Sequence, residues 1–277
     1  MKVTLSLTLY GILLLAFFSS CTTSQAVFNS PLNGNMSDYH AMPTRADEHK
    51  SGTYVGGGLN IGGANDALRD NVVTLKASLH EAHAAGAFRF NYGGSLSIGS
   101  YNISESGYTY YNDRADSIIR GNSGSHYWGS YGVFGGVAVA VPMGQRGEWR
   151  CIGVEGNYAR EFGEYYDFRS KVPDSIFRIN DRHQYLGSLG LTTEWINRRR
   201  KGTEFGVKLG LGTSFRRLYY YNRQPPAGSN FVYNNSREDL IYFNNTFHIT
   251  SRRNTYYIQY TVAERAAFFQ VGLNYRL

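Results

Sequence analysis

Beyond residue 53 the chain alternates between apolar and polar positions. In Phe205, Val207, Leu209 and Leu211, with Phe215 beyond, every second residue is apolar, and Gly206, Lys208, Gly210, Gly212 and Ser214 fill the gaps. The same period runs through Phe88, Phe90, Tyr92, Leu96 and Ile98, through Val73, Leu75, Ala77 and Leu79, and through Val133, Val137, Val139 and Val141. It returns in Ile152, Val154 and Tyr158, in Tyr185, Leu189, Leu191 and Trp195, and in Phe269, Val271, Leu273 and Tyr275, while Val55, Leu59 and Ile61 open the series. A period of two gives an extended strand one apolar and one polar face. The pattern predicts eight strands of about 10–15 residues, longer than the five or six usual in soluble sheets.

The connections alternate as well. Turns near Ala84-Ala85-Gly86, over 142–147 and over 197–202 are short, whereas 102–126, 162–183 and 218–265 are long; the first connection, 63–70, is short. Short turns at one end and long loops at the other are what outer-membrane barrels show. The polar faces separate this reading from a soluble barrel, whose outer face should be dense in Lys, Glu and Thr. Here they hold mostly Gly, Ser, Ala and Asn, which suits the crowded interior of a narrow barrel. The apolar faces then point to lipid, with Tyr131, Trp149, Trp195 and Tyr275 near their ends.

Residues 53–277, closing on the strand from Ala267 to Leu277, resemble the small eight-stranded OmpA/OmpX-type outer-membrane barrels. The resemblance implies an all-β fold: an eight-stranded antiparallel transmembrane β-barrel with long extracellular loops, in the outer membrane of a Gram-negative bacterium.

The first residues differ in kind. Lys2, an apolar run from Leu5 to Phe18, then Ser19-Ser20-Cys21 form a secretory signal too short to span a bilayer. Phe18-Ser19-Ser20-Cys21 resembles a lipobox, which implies a signal peptide over 1–20 and acylation of Cys21. Residues 21–52 carry no period and hold Pro31 and Pro43, so they are expected as a flexible, disordered tether in the periplasm.

Composition narrows the function. With 28 Lys+Arg against 21 Asp+Glu the net charge is +7, yet the expected location disfavours nucleic acid. Two Cys exclude a disulfide scaffold, and 42% hydrophobic residues exclude wholesale disorder. No zinc-spaced Cys/His cluster, phosphate loop or dinucleotide fingerprint occurs, so no metal and no cofactor is expected. The inward set contains Lys76, Arg89, Glu155, Glu194, Lys208 and Arg276. Buried charges are costly unless paired, so these are expected as an ion network sealing the lumen. Arg216, Arg217, Arg223, Arg252 and Arg253, interleaved with tyrosines, read as an anion-binding loop facing lipid phosphates. His248, Thr250 and Glu264 vaguely resemble the His/Ser/Glu set of lipid A deacylase barrels, which leaves a lipid-modifying enzyme as the alternative. The favoured expectation is a lipid-anchored barrel without turnover, binding or scaffolding, with outer-membrane lipids, lipopolysaccharide and other envelope proteins as partners.

Overall fold

The computed structural model describes residues 27–33, 36–44, 47, 50–65, 68–105, 118, 120–173, 179–199, 202–220 and 234–277, apart from the side chains of Val27, Ile179, 216–220 and 234–239. In chain order the elements are β1 (Val27–Phe28), β2 (Ser51–Ala64), β3 (Asp70–Ala85), β4 (Phe88–Ile103), β5 (Gly124–Met143) and β6 (Gly147–Phe162). There follow α1 (Glu164–Lys171), β7 (Ile179–Asn180), β8 (Tyr185–Arg198), β9 (Glu204–Tyr220), β10 (Asn234–Ser251), β11 (Asn254–Ala263) and β12 (Ala266–Arg276).

The wall has ten strands, not the eight expected. β2 to β6 and β8 to β12 pair antiparallel with their sequence neighbours, and β12 closes on β2 through Val271↔Leu59 and its flanking pairs. The two additional strands, β10 and β11, come from the segment expected as one long loop. A hairpin adds two strands and returns the chain to the side it left, so the long-and-short parity of the other connections survives. The turns 86–87, 144–146, 199–203 and 252–253 lie at one mouth, termed here the short-turn mouth. The strand ends that flank 104–123, 163–184 and 221–233 lie at the opposite mouth, termed here the long-connection mouth.

Alternation is inside-out with respect to a soluble protein. On β3, Asp70, Val72, Thr74, Lys76, His80 and Ala82 are buried toward the lumen, while Val73, Leu75 and Leu79 are 44%, 58% and 57% exposed on the outer face. β10 repeats this with Tyr242, Asn244, Thr246 and His248 inward and Ile241, Phe243, Phe247 and Ile249 outward. Glycine makes room for the larger inward rings. Gly206 faces His248 across the β9–β10 ladder, and a Cβ there would run into the imidazole. On β6 the register slips between Arg150 and Gly153. A bulge of this kind changes which residues face inward, so Glu148 and Arg150 point into the lumen below it and Glu155 and Asn157 above it.

The largest departure from expectation is the N-terminal segment. The expected tether instead runs, over its described residues 28–44, through the barrel interior. Phe28 starts at the long-connection mouth, where β1 lies parallel to β7 and Phe28 packs edge-on against Phe168 of α1 at 5.3 Å. The chain leaves at the short-turn mouth, where Lys50 O accepts the Ala84 amide at 2.6 Å, and β2 begins. A ten-stranded wall encloses more space than an eight-stranded one, and this segment fills it. Phe28 and Leu32 join Tyr101, Trp128 and Tyr165 in one buried cluster; Tyr39 and Ala41 join Tyr54, Ala82 and Tyr257 in a second.

Candidate functional site

The interior is a stack of polar contacts between the wall and the threaded segment. Uppermost, Ser30 Oγ donates to Glu161 Oε1 at 2.6 Å, and Trp128 Nε1 donates to the same oxygen at 3.0 Å. Arg169 of α1 pairs with the other Glu161 oxygen. At mid-height Lys76 pairs with Asp38 of the segment, and Asn244 Nδ2 donates to Ser37 Oγ at 2.7 Å. Gln259 donates to the Ser37 carbonyl and Asn274 to that of Tyr39. His80 contacts Ala41 O at 3.0 Å, and the His40 ring stacks on Phe134 at 3.6 Å with 3° between planes.

Glu194 of β8 is the hub of the lower half. Its carboxylate accepts Arg150 Nη1 at 2.5 Å and Tyr39 OH at 3.1 Å, and His248 Nε2 lies 2.9 Å away. Tyr39 stacks on His248 with ring centroids 4.6 Å apart. Arg150 Nε also donates to Glu148 at 3.1 Å, and its Nη2 reaches the carbonyls of Met42 and Pro43. Glu148 in turn receives both Nε and Nη2 of Arg89, at 3.1 and 2.6 Å. Lys208 pairs with Glu155 across β8 and sits 5.7 Å from the Tyr39 ring. Nearest the short-turn mouth, Thr44 Oγ1 donates to Glu204 at 2.9 Å.

Five of the six residues expected in the lumen network, Lys76, Arg89, Glu155, Glu194 and Lys208, therefore lie inside the wall. Arg276 lies at the short-turn rim, where Nη2 donates to Ser51 O at 3.1 Å. Asp38 and Tyr39 are absent from the expected set, because a segment without a period reads as lying outside the barrel. Glu148 and Arg150 are not among the expected inward residues; they lie below the register shift between Arg150 and Gly153. His248, expected on a loop, lies on β10.

The loop expected to gather arginines does not do so. Arg252 and Arg253 form the β10–β11 turn at the short-turn mouth, whereas Arg216 and Arg217 lie on β9 toward the opposite mouth, their side chains outside the described residues. Arg223 and Cys21 also lie outside the described residues. Nor are His248, Thr250 and Glu264 brought together. His248 faces the lumen at 4% exposure, Thr250 Oγ1 shares a 2.9 Å hydrogen bond with Thr255, and Glu264 sits in the β11–β12 turn at the far mouth. Among the described residues no group of three or more His, Cys, Asp or Glu could hold a metal ion.

No protein-family model and no curated protein matches the chain by sequence. Solved structures similar to it include the COG4313 outer membrane channel from Pseudomonas putida F1, at 11% identity and a TM-score of 0.42, covering 87% of this chain and 98% of that one. The beta domain of the Bordetella autotransporter BrkA matches at 9% identity and a TM-score of 0.38, covering 83% and 100%. The translocator domain of the autotransporter NalP from Neisseria meningitidis matches at 7% identity and 0.37, covering 84% and 90%.

Proposed function

We propose that this chain is an integral barrel of the Gram-negative outer membrane that is closed by its own N-terminal segment and acts as a binding or scaffolding component of the envelope without turnover. The observation that carries it is the combination of an apolar outer face around the wall with a lumen filled by residues 28–44. An outward apolar face suits a bilayer, and the packing of the described segment residues against the lumen side chains supports a closed barrel. Against catalysis stands the separation of His248, Thr250 and Glu264.

Lipid anchoring at Cys21 belongs to the same proposal, with one change of side. Cys21 precedes Phe28 by seven residues, which reach at most about 25 Å when extended. Phe28 lies at the long-connection mouth, so an acylated Cys21 would reside on that side, the cell surface, rather than in the periplasm. Intact mass of the mature protein should exceed that of residues 21–277 by at least a diacylglycerol; an unmodified Cys21 ends the anchoring claim.

The closed lumen is tested in planar lipid bilayers. Wild-type protein should give no steady conductance, whereas deletion of 28–44, or the milder triple change Asp38→Ala, Tyr39→Ala and Thr44→Ala, should give discrete openings. Steady wild-type conductance would overturn the closed reading. Lipid A of a deletion strain should be unchanged in mass; a lost or gained acyl chain seen both there and in a His248→Ala strain would establish the enzyme instead.

A further inference from the structure

We propose that the outer face of the wall carries a site for the phosphate of a lipid headgroup, built on Arg160 and framed by Tyr131 and Tyr185. The proposal rests on the membrane reading above and adds to it a named contact with one leaflet.

Arg160 lies on the outward face of β6, the face that carries Ile152, Val154 and Tyr158. The ladder puts it in one row with Tyr131 of β5 on one side and Tyr185 of β8 on the other. Its Nη1 donates to Tyr131 OH at 3.1 Å, and the guanidinium carbon stands 5.4 Å from the centre of the Tyr185 ring. Tyr185 stacks on Tyr158 at 5.9 Å, and Phe162 packs beside Tyr131 at 6.1 Å. Tyr131, Tyr158 and Tyr185 are each about half exposed. Toward the short-turn mouth this patch gives way to a purely apolar band, with Ile152 64%, Val133 62% and Leu191 60% exposed.

A lone cation in such a band needs a counter-charge, and the protein supplies none: among the described residues no carboxylate pairs with Arg160. In the lumen Lys76, Arg89, Arg150 and Lys208 each have one. The aromatic frame fixes the height. Tyrosines collect where hydrocarbon meets headgroups, because the ring is apolar and the hydroxyl wet. Arg160 stands at the far edge of that belt, on the long-connection side, where headgroup phosphates lie. With one nitrogen held by Tyr131 and one face against Tyr185, the guanidinium is pre-positioned and keeps N–H donors for a forked contact to phosphate oxygens. The chemistry selects a phosphorylated lipid of that leaflet.

The test uses the full mature protein in detergent micelles, with bound lipid counted by native mass spectrometry during titration with diphosphorylated lipid A or with uncharged diacylglycerol. Wild type should hold the phosphorylated lipid at least tenfold more tightly than Arg160→Gln, with Arg160→Lys between them and Tyr185→Leu weakened several-fold. Arg146→Gln, at the opposite mouth, should match wild type. Because Arg160 lies outside the packed lumen, its variants should keep the wild-type thermal midpoint. Equal affinity of wild type and Arg160→Gln for lipid A overturns the site, as does equal binding of diacylglycerol by wild type. Failure of the wild-type protein to insert into vesicles overturns the membrane reading itself, a different result.

Discussion

Replacing Glu194 should unlatch the threaded segment from the wall. Glu194 is 2% exposed and holds Arg150, His248 and Tyr39 together. Removing one partner of a buried ion pair typically costs about 3–5 kcal/mol, because the other charge stays buried. Arg150 keeps Glu148 at 3.1 Å and two backbone carbonyls, which holds the loss to the lower part of that range. The hydrogen bond from Tyr39 adds about 1.5 kcal/mol as a bond to a charged acceptor. Glu194→Leu should therefore destabilise the folded barrel by about 4 kcal/mol, and Glu194→Gln, which keeps an acceptor, by about half as much. The measurement is urea unfolding from lipid vesicles followed by tryptophan fluorescence. The comparison is Glu81→Gln, whose half-exposed carboxylate on the outer face accepts Tyr92 OH at 2.5 Å; exposed pairs contribute less than about 1 kcal/mol. Combining Glu194→Leu with Tyr39→Phe should cost less than the sum of the single changes, since both remove the same hydrogen bond. A Glu194→Leu loss as small as that of Glu81→Gln would refute the latch.

Two further outcomes follow from the two mouths. Burial pushes the Tyr165 phenol of α1 up, with nearby Arg169 opposing; its hydroxyl donates to Asn29 O at 3.1 Å, and its ring stacks on Tyr101 at 3.6 Å. Below about pH 10 the phenol is protonated in both states, whereas above it only the unfolded chain ionises, so stability falls as pH rises. The stability gap between wild type and Tyr165→Phe should therefore shrink above pH 10, and a constant gap would exclude Tyr165 as the source. For topology, in a Cys151→Ala background, a membrane-impermeant maleimide applied to intact cells should label Gly121→Cys, in open space by the long-connection mouth, and spare Gln145→Cys in the β5–β6 turn; the reverse labelling would invert the barrel.

Eight of the ten wall strands were legible because their outward rows are nearly unbroken and their turns carry glycine. Gly86, Gly144 and Gly202 have positive φ at three turns of the short-turn mouth. The fourth turn is Ser251-Arg252-Arg253-Asn254, with no glycine, and Arg252 itself takes φ 56°. Its hairpin also carries Asn245 in the middle of an otherwise apolar outward row. Without the punctuation and with the row broken, β10 and β11 merged into one long loop. Residues 28–44 were illegible for a different reason. A strand in the wall has one face to lipid and one to the lumen, and hence a period. A segment inside the lumen is enclosed by wall on every side, with no lipid-facing side, so its contacts impose no period of two.

The segment's specificity lies in the heights of its polar groups. An empty lumen would hydrate Lys76, Glu161, Glu194, Arg150 and Glu204, so filling it displaces that water and gains nothing unless each group finds a replacement. The segment brings one at each level: Ser30 to Glu161, Asp38 to Lys76, Tyr39 to Glu194, the carbonyls of Met42 and Pro43 to Arg150, and Thr44 to Glu204. A shift along the barrel axis by one residue, about 3.3 Å, moves every one of these partners out of hydrogen-bonding range together. The cost of ordering is limited because β2 fixes the segment's end at the short-turn mouth, making the association intramolecular. Closure is thus all-or-none in register: the segment either sits with the whole column of contacts made or gives up every contact of the column at once. That is why the seal is expected to fail through changes at the hub and not through single polar changes at the mouths.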